Sequence, residues 1–121
     1  MRVDNVKKKQ IYEMLKKSWS IETSSKWTSE NPAKGQCGVT ALVVQEIYGG
    51  KIKKTKVGEV WHFYNCIDGK VFDFTETQFN EKLKYMGVES NREEAFADTD
   101  EKQYGILKEK ITKELNLSFD S

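Results

Sequence analysis

Apolar positions at Val6, Ile11, Met14 and Leu15 lie close to one face of a 3.6-residue repeat, so residues 4–18 predict an amphipathic N-terminal helix. A polar stretch follows, "SWSIETSSKWTSENPAKG", rich in Ser, Thr and Asn. It predicts a long connection, and ordered loops of that length in small domains usually serve function. From Cys37 the pattern changes: "GVTALVVQEIYGG" is apolar nearly all round, through Val39, Ala41, Leu42, Val43, Val44 and Ile47. A helix of that kind is buried. Two buried strands would give the same run, but its length favours a helix, ended by Gly49 and Gly50.

The second half of the chain predicts a small sheet. "KIKKTKV" predicts a strand whose lysines face solvent and guard an edge. In "EVWHFYNCIDGKVFDFT", Asp68-Gly69 is a two-residue turn signal between β-prone runs, which predicts a hairpin. "TETQ" at residues 75–78 fits a capping box and predicts a helix through Phe79, Leu83 and Met86. Residues 87–99 predict a loop. Residues 100–116 predict a last helix, with Tyr104, Leu107, Ile111 and Leu115 on one face and a first turn weakened by Gly105. The expected architecture is one α+β domain over residues 1–121. A buried helix carries Cys37 at its N-terminus and packs on a small antiparallel sheet, with flanking N- and C-terminal helices.

The hairpin sets a register. With Asp68 and Gly69 as turn residues, Ile67 faces Lys70, Tyr64 faces Asp73 and His62 faces Thr75. Side chains alternate with period two. One face then holds His62, Tyr64, Cys66, Val71, Asp73 and Thr75. The other holds Trp61, Phe63, Asn65, Ile67, Lys70, Phe72 and Phe74, and is the natural core face. His62 and Asp73 become diagonal neighbours roughly 7 Å apart at the backbone. An aspartate on one ring nitrogen fixes the tautomer and leaves the other nitrogen as a base.

Composition narrows the partners. Twenty basic and nineteen acidic residues give a net charge of +1, which argues against a nucleic-acid or membrane partner. No segment is long and apolar enough to span a bilayer. "MRVDNVKKKQIYEMLKK" lacks the apolar core of a signal peptide, so the expected location is cytoplasmic, where two cysteines stay free thiols. Cys37, Cys66, His62 and Asp73 offer metal-ligand chemistry, but no CxxC or HxxxH spacing supports it, and no metal or cofactor is expected. "KIKKTK" stands alone as a basic patch and is most simply a solvated edge.

Cys37 is the candidate nucleophile. A cysteine at a helix N-terminus feels the positive end of the macrodipole, which favours thiolate. Gly35 and Gly38 flank it and allow close approach of a substrate. First-turn backbone N–H groups, Gly38 among them, are candidate oxyanion donors. Cys37, His62 and Asp73 thereby take the roles of nucleophile, base and orienting acid. The side chain of Gln36, and Trp27 and Asn31 from the long loop, are further oxyanion or substrate-binding candidates. Tyr64, on the His62 face, joins them.

The order Cys, His, Asp, carried by "GQCGVTALV", "WHFYN" and "VFDFT", resembles the papain-like and transglutaminase-core superfamily. The gap of 25 residues from Cys37 to His62 is closer to the compact transglutaminase-like core than to papain. The joined set "SSKWTSENPAKGQCGVTALVVQEIYGG…WHFYNCIDGKVFDFTETQF" also resembles the small bacterial family of YunG-like proteins, over most of the chain. The superfamily resemblance implies a thiol hydrolase or acyltransferase acting on an amide, isopeptide or thioester bond of a peptide or small amide. The rival expectation is a non-catalytic interaction protein that keeps the same fold. The substrate and oligomeric state are left open.

Overall fold

The computed structural model describes the backbone of residues 5–120 and the side chains of residues 6–116. The first position of the expected N-terminal helix, residue 4, lies outside the described residues. The elements run α1 (Asn5–Ser18), α2 (Cys37–Tyr48), β1 (Lys51–Val57), β2 (Val60–Ile67), β3 (Lys70–Phe72), β4 (Val88–Glu89), α3 (Arg92–Phe96) and α4 (Glu101–Asp120). The four strands form an antiparallel sheet in the order β3-β2-β1-β4. Helix α2 packs on this sheet and is flanked by α1 and α4, as the hydrophobic pattern predicts.

α2 is the centre of the core because it is apolar on nearly every side. Val39, Val43 and Val44 meet Ile11 and Leu15 of α1, Leu107 and Ile111 of α4, and Ile67 and Phe72 of the hairpin. Ala41 and Leu42 meet Ile52, Phe63 and Ala95. Each large aliphatic side chain buried in this way contributes about 1.5–3 kcal/mol. Val6 departs from the expected helix face: it is 69% exposed.

The hairpin forms in the predicted register, with Asn65 opposite Phe72, Cys66 opposite Val71 and Ile67 opposite Lys70. Asp68 and Gly69 both have positive φ, 53° and 77°, which suits a primed two-residue turn. The ladder then stops at Phe72. Asp73 Oδ1 accepts hydrogen bonds from the Thr75 N–H at 3.1 Å and the Thr75 hydroxyl at 3.2 Å. That side-chain turn draws the chain off the strand path. As a result, among the described residues, β2 has no strand partner beyond Asn65 on that edge.

Three expectations are corrected. The lysine-rich β1 is not an edge strand: it pairs along its length with β2 and through Lys53 and Lys54 with β4. "TETQ" opens only a single 3-10 turn, Glu76–Gln78. The Thr75 hydroxyl that would cap a helix is bonded to Asp73 instead. The chain beyond it covers the sheet, Phe79 lying edge-on to His62 with ring centroids 5.0 Å apart and Tyr85 lying on Tyr64 at 4.9 Å. Residues 87–99 are not a plain loop but hold β4 and α3. Asn91 Oδ1 caps α3 by accepting from the Glu94 N–H at 2.8 Å.

Candidate functional site

The hairpin builds one half of the site. His62 Nε2 lies 2.7 Å from Asp73 Oδ2, and the two residues are 2% and 3% exposed. A carboxylate only accepts, so Nε2 carries the proton and Nδ1 of the neutral ring is left with a lone pair. Asp73 is held by further donors: the Thr75 pair on Oδ1 and the Tyr85 hydroxyl on Oδ2 at 2.9 Å. Burial, then the Asp73 charge and the hydrogen bond to it, push the Tyr85 phenol far above its ordinary range. Tyr85 therefore stays a donor. His62 Nδ1 is buried and has no hydrogen-bond partner.

The other half comes from α2 and the segment after α3. Cys37 is the first residue of α2 and is 9% exposed. Its thiol donates to Asp98 Oδ2 at 3.3 Å, and the Gly38 N–H donates to the same oxygen at 3.3 Å. Asp98 is brought there because α3 is clamped to α2. Arg92 donates to the Leu42 carbonyl at 3.1 Å and to Gln45 Oε1 at 3.0 Å, and Ala95 is fully buried. Gly38 makes the fit possible: a Cβ there would lie 2.8 Å from the Ala95 carbonyl oxygen and 2.9 Å from Asp98 Cβ.

The expected thiolate is corrected by this arrangement. Burial pushes the Cys37 thiol from 9.0 up to about 12, and the charge of Asp98 and the hydrogen bond it accepts add to the rise. A backbone hydrogen bond at Phe63, on the unpaired edge of β2, pulls the other way. The positive end of α2 already has its anion, the Asp98 carboxylate, so the dipole is not free to stabilise a thiolate.

Cys37, His62 and Asp98 line one cavity of about 240 Å³. Its walls include Trp61 from β2 and Gln78 and Phe79 from the segment after Asp73, and Lys26, Lys34 and Gly35 of the long loop close it. The loop thus contributes three of the residues that line the cavity. Gly35 has φ 72°, and a Cβ there would come 2.5 Å from Ser24 Oγ. The glycines beside Cys37 therefore admit the protein's own segments rather than a substrate. Cys37 and His62 share the cavity without a hydrogen bond between them.

The other candidates fall elsewhere. Gln36 is fully buried, its Oε1 accepting from the Thr23 hydroxyl at 2.9 Å and its Nε2 facing the Ser20 carbonyl. It pins the loop to the start of α2. Trp27 packs against the main core, and Asn31 donates to the Gln78 carbonyl. The Tyr64 hydroxyl accepts from the Gly87 N–H at 3.0 Å. None of these four lines the cavity. Gly38 lends its N–H to Asp98 rather than to an open oxyanion position. Asp98 and Gln78 were not singled out in the sequence, where one reads as a loop residue and the other as the end of a capping box. Among the described residues no group of three or more His, Cys, Asp or Glu side chains could hold a metal ion. Nor is any described helix long and apolar enough to cross a membrane.

The sequence matches the protein family described as YunG protein over residues 7–116. It is similar to a Bacillus subtilis (strain 168) protein described as "Uncharacterized protein YunG", 55% identical over 103 residues, a match covering 85% of this chain and 90% of the relative. No solved structure matches.

Proposed function

The chain belongs to the YunG family, and from that premise we propose that it is a thiol hydrolase or acyltransferase acting on an amide, isopeptide or thioester carbonyl. Cys37 is the nucleophile, His62 the base and Asp73 the group that orients the base. The observation that carries this reading is the buried His62–Asp73 pair, whose second ring nitrogen is unpartnered in a residue that shares a cavity with the only cysteine at a helix N-terminus. Its order of residues is the one that resembles the papain-like and transglutaminase cores.

The chemistry starts from a neutral thiol, since the Cys37 pKa is about 12. The thiol turns from Asp98 to His62, whose Nδ1 takes its proton as sulfur attacks, rather than from an ion pair formed beforehand. The same proton then goes to the departing amine or thiol. Asp73 stabilises the imidazolium that exists between those steps. Water or an amine resolves the acyl-enzyme, giving hydrolysis, deamidation or transamidation.

The test uses p-nitrophenyl acetate, with mass mapping of the acetyl group. Acetylation of Cys37 is expected in the native protein and absent in Cys37→Ala. His62→Asn should slow it by about 10²-fold or more. Acetyl found only on Cys66, or Cys37 acetylation indifferent to His62→Asn in folded protein, sinks the reading. The rival role, a non-catalytic interaction protein, is favoured by one observation: the Cys37 thiol is buried and already bonded to Asp98. It expects that indifference.

A further inference from the structure

We propose that the side-chain amide of Gln78 binds the carbonyl oxygen of the acyl substrate and holds it as an oxyanion when Cys37 attacks. This rests on the acyl-transfer chemistry assigned to Cys37 and His62, and it names the electrophilic partner that chemistry lacks. Acyl transfer develops negative charge on the carbonyl oxygen, and a fixed donor aimed at that charge is a large part of catalysis. Two of the donors expected from the sequence are committed elsewhere. The Gly38 N–H is bonded to Asp98, and the Gln36 amide is engaged with Thr23 and Ser20.

Gln78 has the opposite character. Its Oε1 accepts from the Gly35 N–H at 3.2 Å. A backbone N–H can only donate, so the atom facing it is the oxygen and the NH2 group must point the other way. That nitrogen is buried and has no partner. Four buried side-chain nitrogen and oxygen atoms among the described residues lack a partner: Trp27 Nε1, Tyr48 Oη, His62 Nδ1 and Gln78 Nε2. The last two belong to residues lining the Cys37 cavity, and the first two do not. Two residues lining one cavity thus carry, respectively, an acceptor without a donor and a donor without an acceptor, and Cys37 lines the same cavity. A reacting thiol and carbonyl supply what both lack: the proton for His62 and the oxygen for Gln78. The amide is also held rigidly. Its oxygen is fixed by Gly35 and its main-chain carbonyl accepts from Asn31 Nδ2 at 3.3 Å, so little reorganisation is needed at the moment of attack.

With p-nitrophenyl acetate the step balances as follows. The Sγ–carbon bond forms, the thiol proton passes to His62 Nδ1, and the carbonyl π pair moves onto the oxygen facing Gln78 Nε2. Collapse of that tetrahedral species breaks the carbon–oxygen bond to p-nitrophenolate and leaves S-acetyl Cys37. Methyl methanethiosulfonate is the control, because the same thiol attacks sulfur and expels methanesulfinate with no carbonyl oxyanion. Two variants separate binding from folding. Gln78→Ala removes the amide, whereas Gln78→Glu keeps an oxygen for the Gly35 N–H and replaces the donor by an acceptor. Rates at Cys37 are read by mass mapping, below each variant's melting temperature. Acetylation should fall about 10²-fold in both variants, while methanethiolation changes less than about threefold, because that displacement forms no carbonyl oxyanion for the amide to stabilise. An equal fall with both reagents, or acetylation that persists in folded Gln78→Glu, overturns the role of Gln78. Acetylation of Cys37 that depends on His62 but not on Gln78 sinks only this proposal. Acetylation that does not depend on His62 sinks the underlying chemistry and this proposal with it.

Discussion

Asp98→Asn should make Cys37 more reactive, contrary to the usual loss on removing a buried partner. The Asp98 oxygen is 3.3 Å from Sγ. At an effective dielectric constant of about 20 the bare repulsion between a thiolate and one full charge at that distance is of the order of 5 kcal/mol, an upper bound. The rise of the thiol from 9.0 to about 12 corresponds to about 4 kcal/mol. Burial is its larger cause, so removing the carboxylate recovers only part of that rise, each pKa unit recovered being tenfold in thiolate fraction. A raised pKa keeps the thiol protonated at pH 8, so removing part of its cause increases thiolate there. Asparagine keeps an oxygen for the Cys37 thiol and the Gly38 N–H. The assay is iodoacetamide labelling at pH 8 with Cys37 and Cys66 read separately by mass spectrometry. Cys37 should label about tenfold faster in Asp98→Asn, with Cys66 unchanged as an internal reference. An unchanged Cys37 rate refutes the electrostatic argument. An equal rise at both cysteines would mean that the variant simply opens the structure.

In the unmodified protein without substrate, half-buried Cys66 should label before buried Cys37 at pH 7, read by the same mapping; earlier labelling of Cys37 would contradict its burial and raised pKa. Because the Cys37 pKa is raised in the fold, the stability it contributes is complete below pH 9 and is lost as pH climbs toward 12. Unfolding in urea should accordingly show wild type losing up to about 4 kcal/mol over that range relative to Cys37→Ser, and parallel curves would refute it. Gly38→Ala, a change that favours an ordinary helix, should here lower the melting temperature, because the added Cβ meets the Ala95 carbonyl and Asp98; unchanged or higher stability would mean that α3 gives way freely. Asp73→Ala leaves the buried His62 N–H without its acceptor and should cost about 1–3 kcal/mol in urea unfolding, and unchanged stability would show that the pair is not the anchor of this face.

The elements legible in the sequence are those specified by contacts near in the chain. The apolar run after Cys37, the Asp68-Gly69 turn and the face shared by Leu107 and Ile111 each follow from local pattern, and each is found where expected. The His62–Asp73 contact was legible in part: extending the hairpin register brings the two residues together, although the ladder stops at Phe72 and the Asp73–Thr75 turn sets the final placement of Asp73. The rest depended on competition. Thr75 could cap a helix or bond Asp73, and the buried carboxylate won its hydroxyl. Asn91 and Glu94 carried a readable helix start, but α3 is only five residues long and has little pattern of its own. Asp98 has no local signal: its place beside Cys37 is decided by Arg92 gripping α2 and by the lack of a side chain at Gly38. The thiolate expectation failed on the same point, because a helix terminus attracts whichever anion the fold delivers first.

The two halves of the cavity also differ in how the chain must fold to make them. His62 and Asp73 are 11 positions apart, whereas Cys37 and Asp98 are 61 apart. Closing a short hairpin takes microseconds, and long-range closure waits on the rest of the core. The expected order is that the His62–Asp73 half forms first and that the Cys37–Asp98 contact forms later and opens sooner in partial unfolding. Amide exchange in α3 should be faster than in β2 in the native protein. On that order, alkylation pulsed early in refolding should mark Cys37 more heavily than the same pulse after folding is complete.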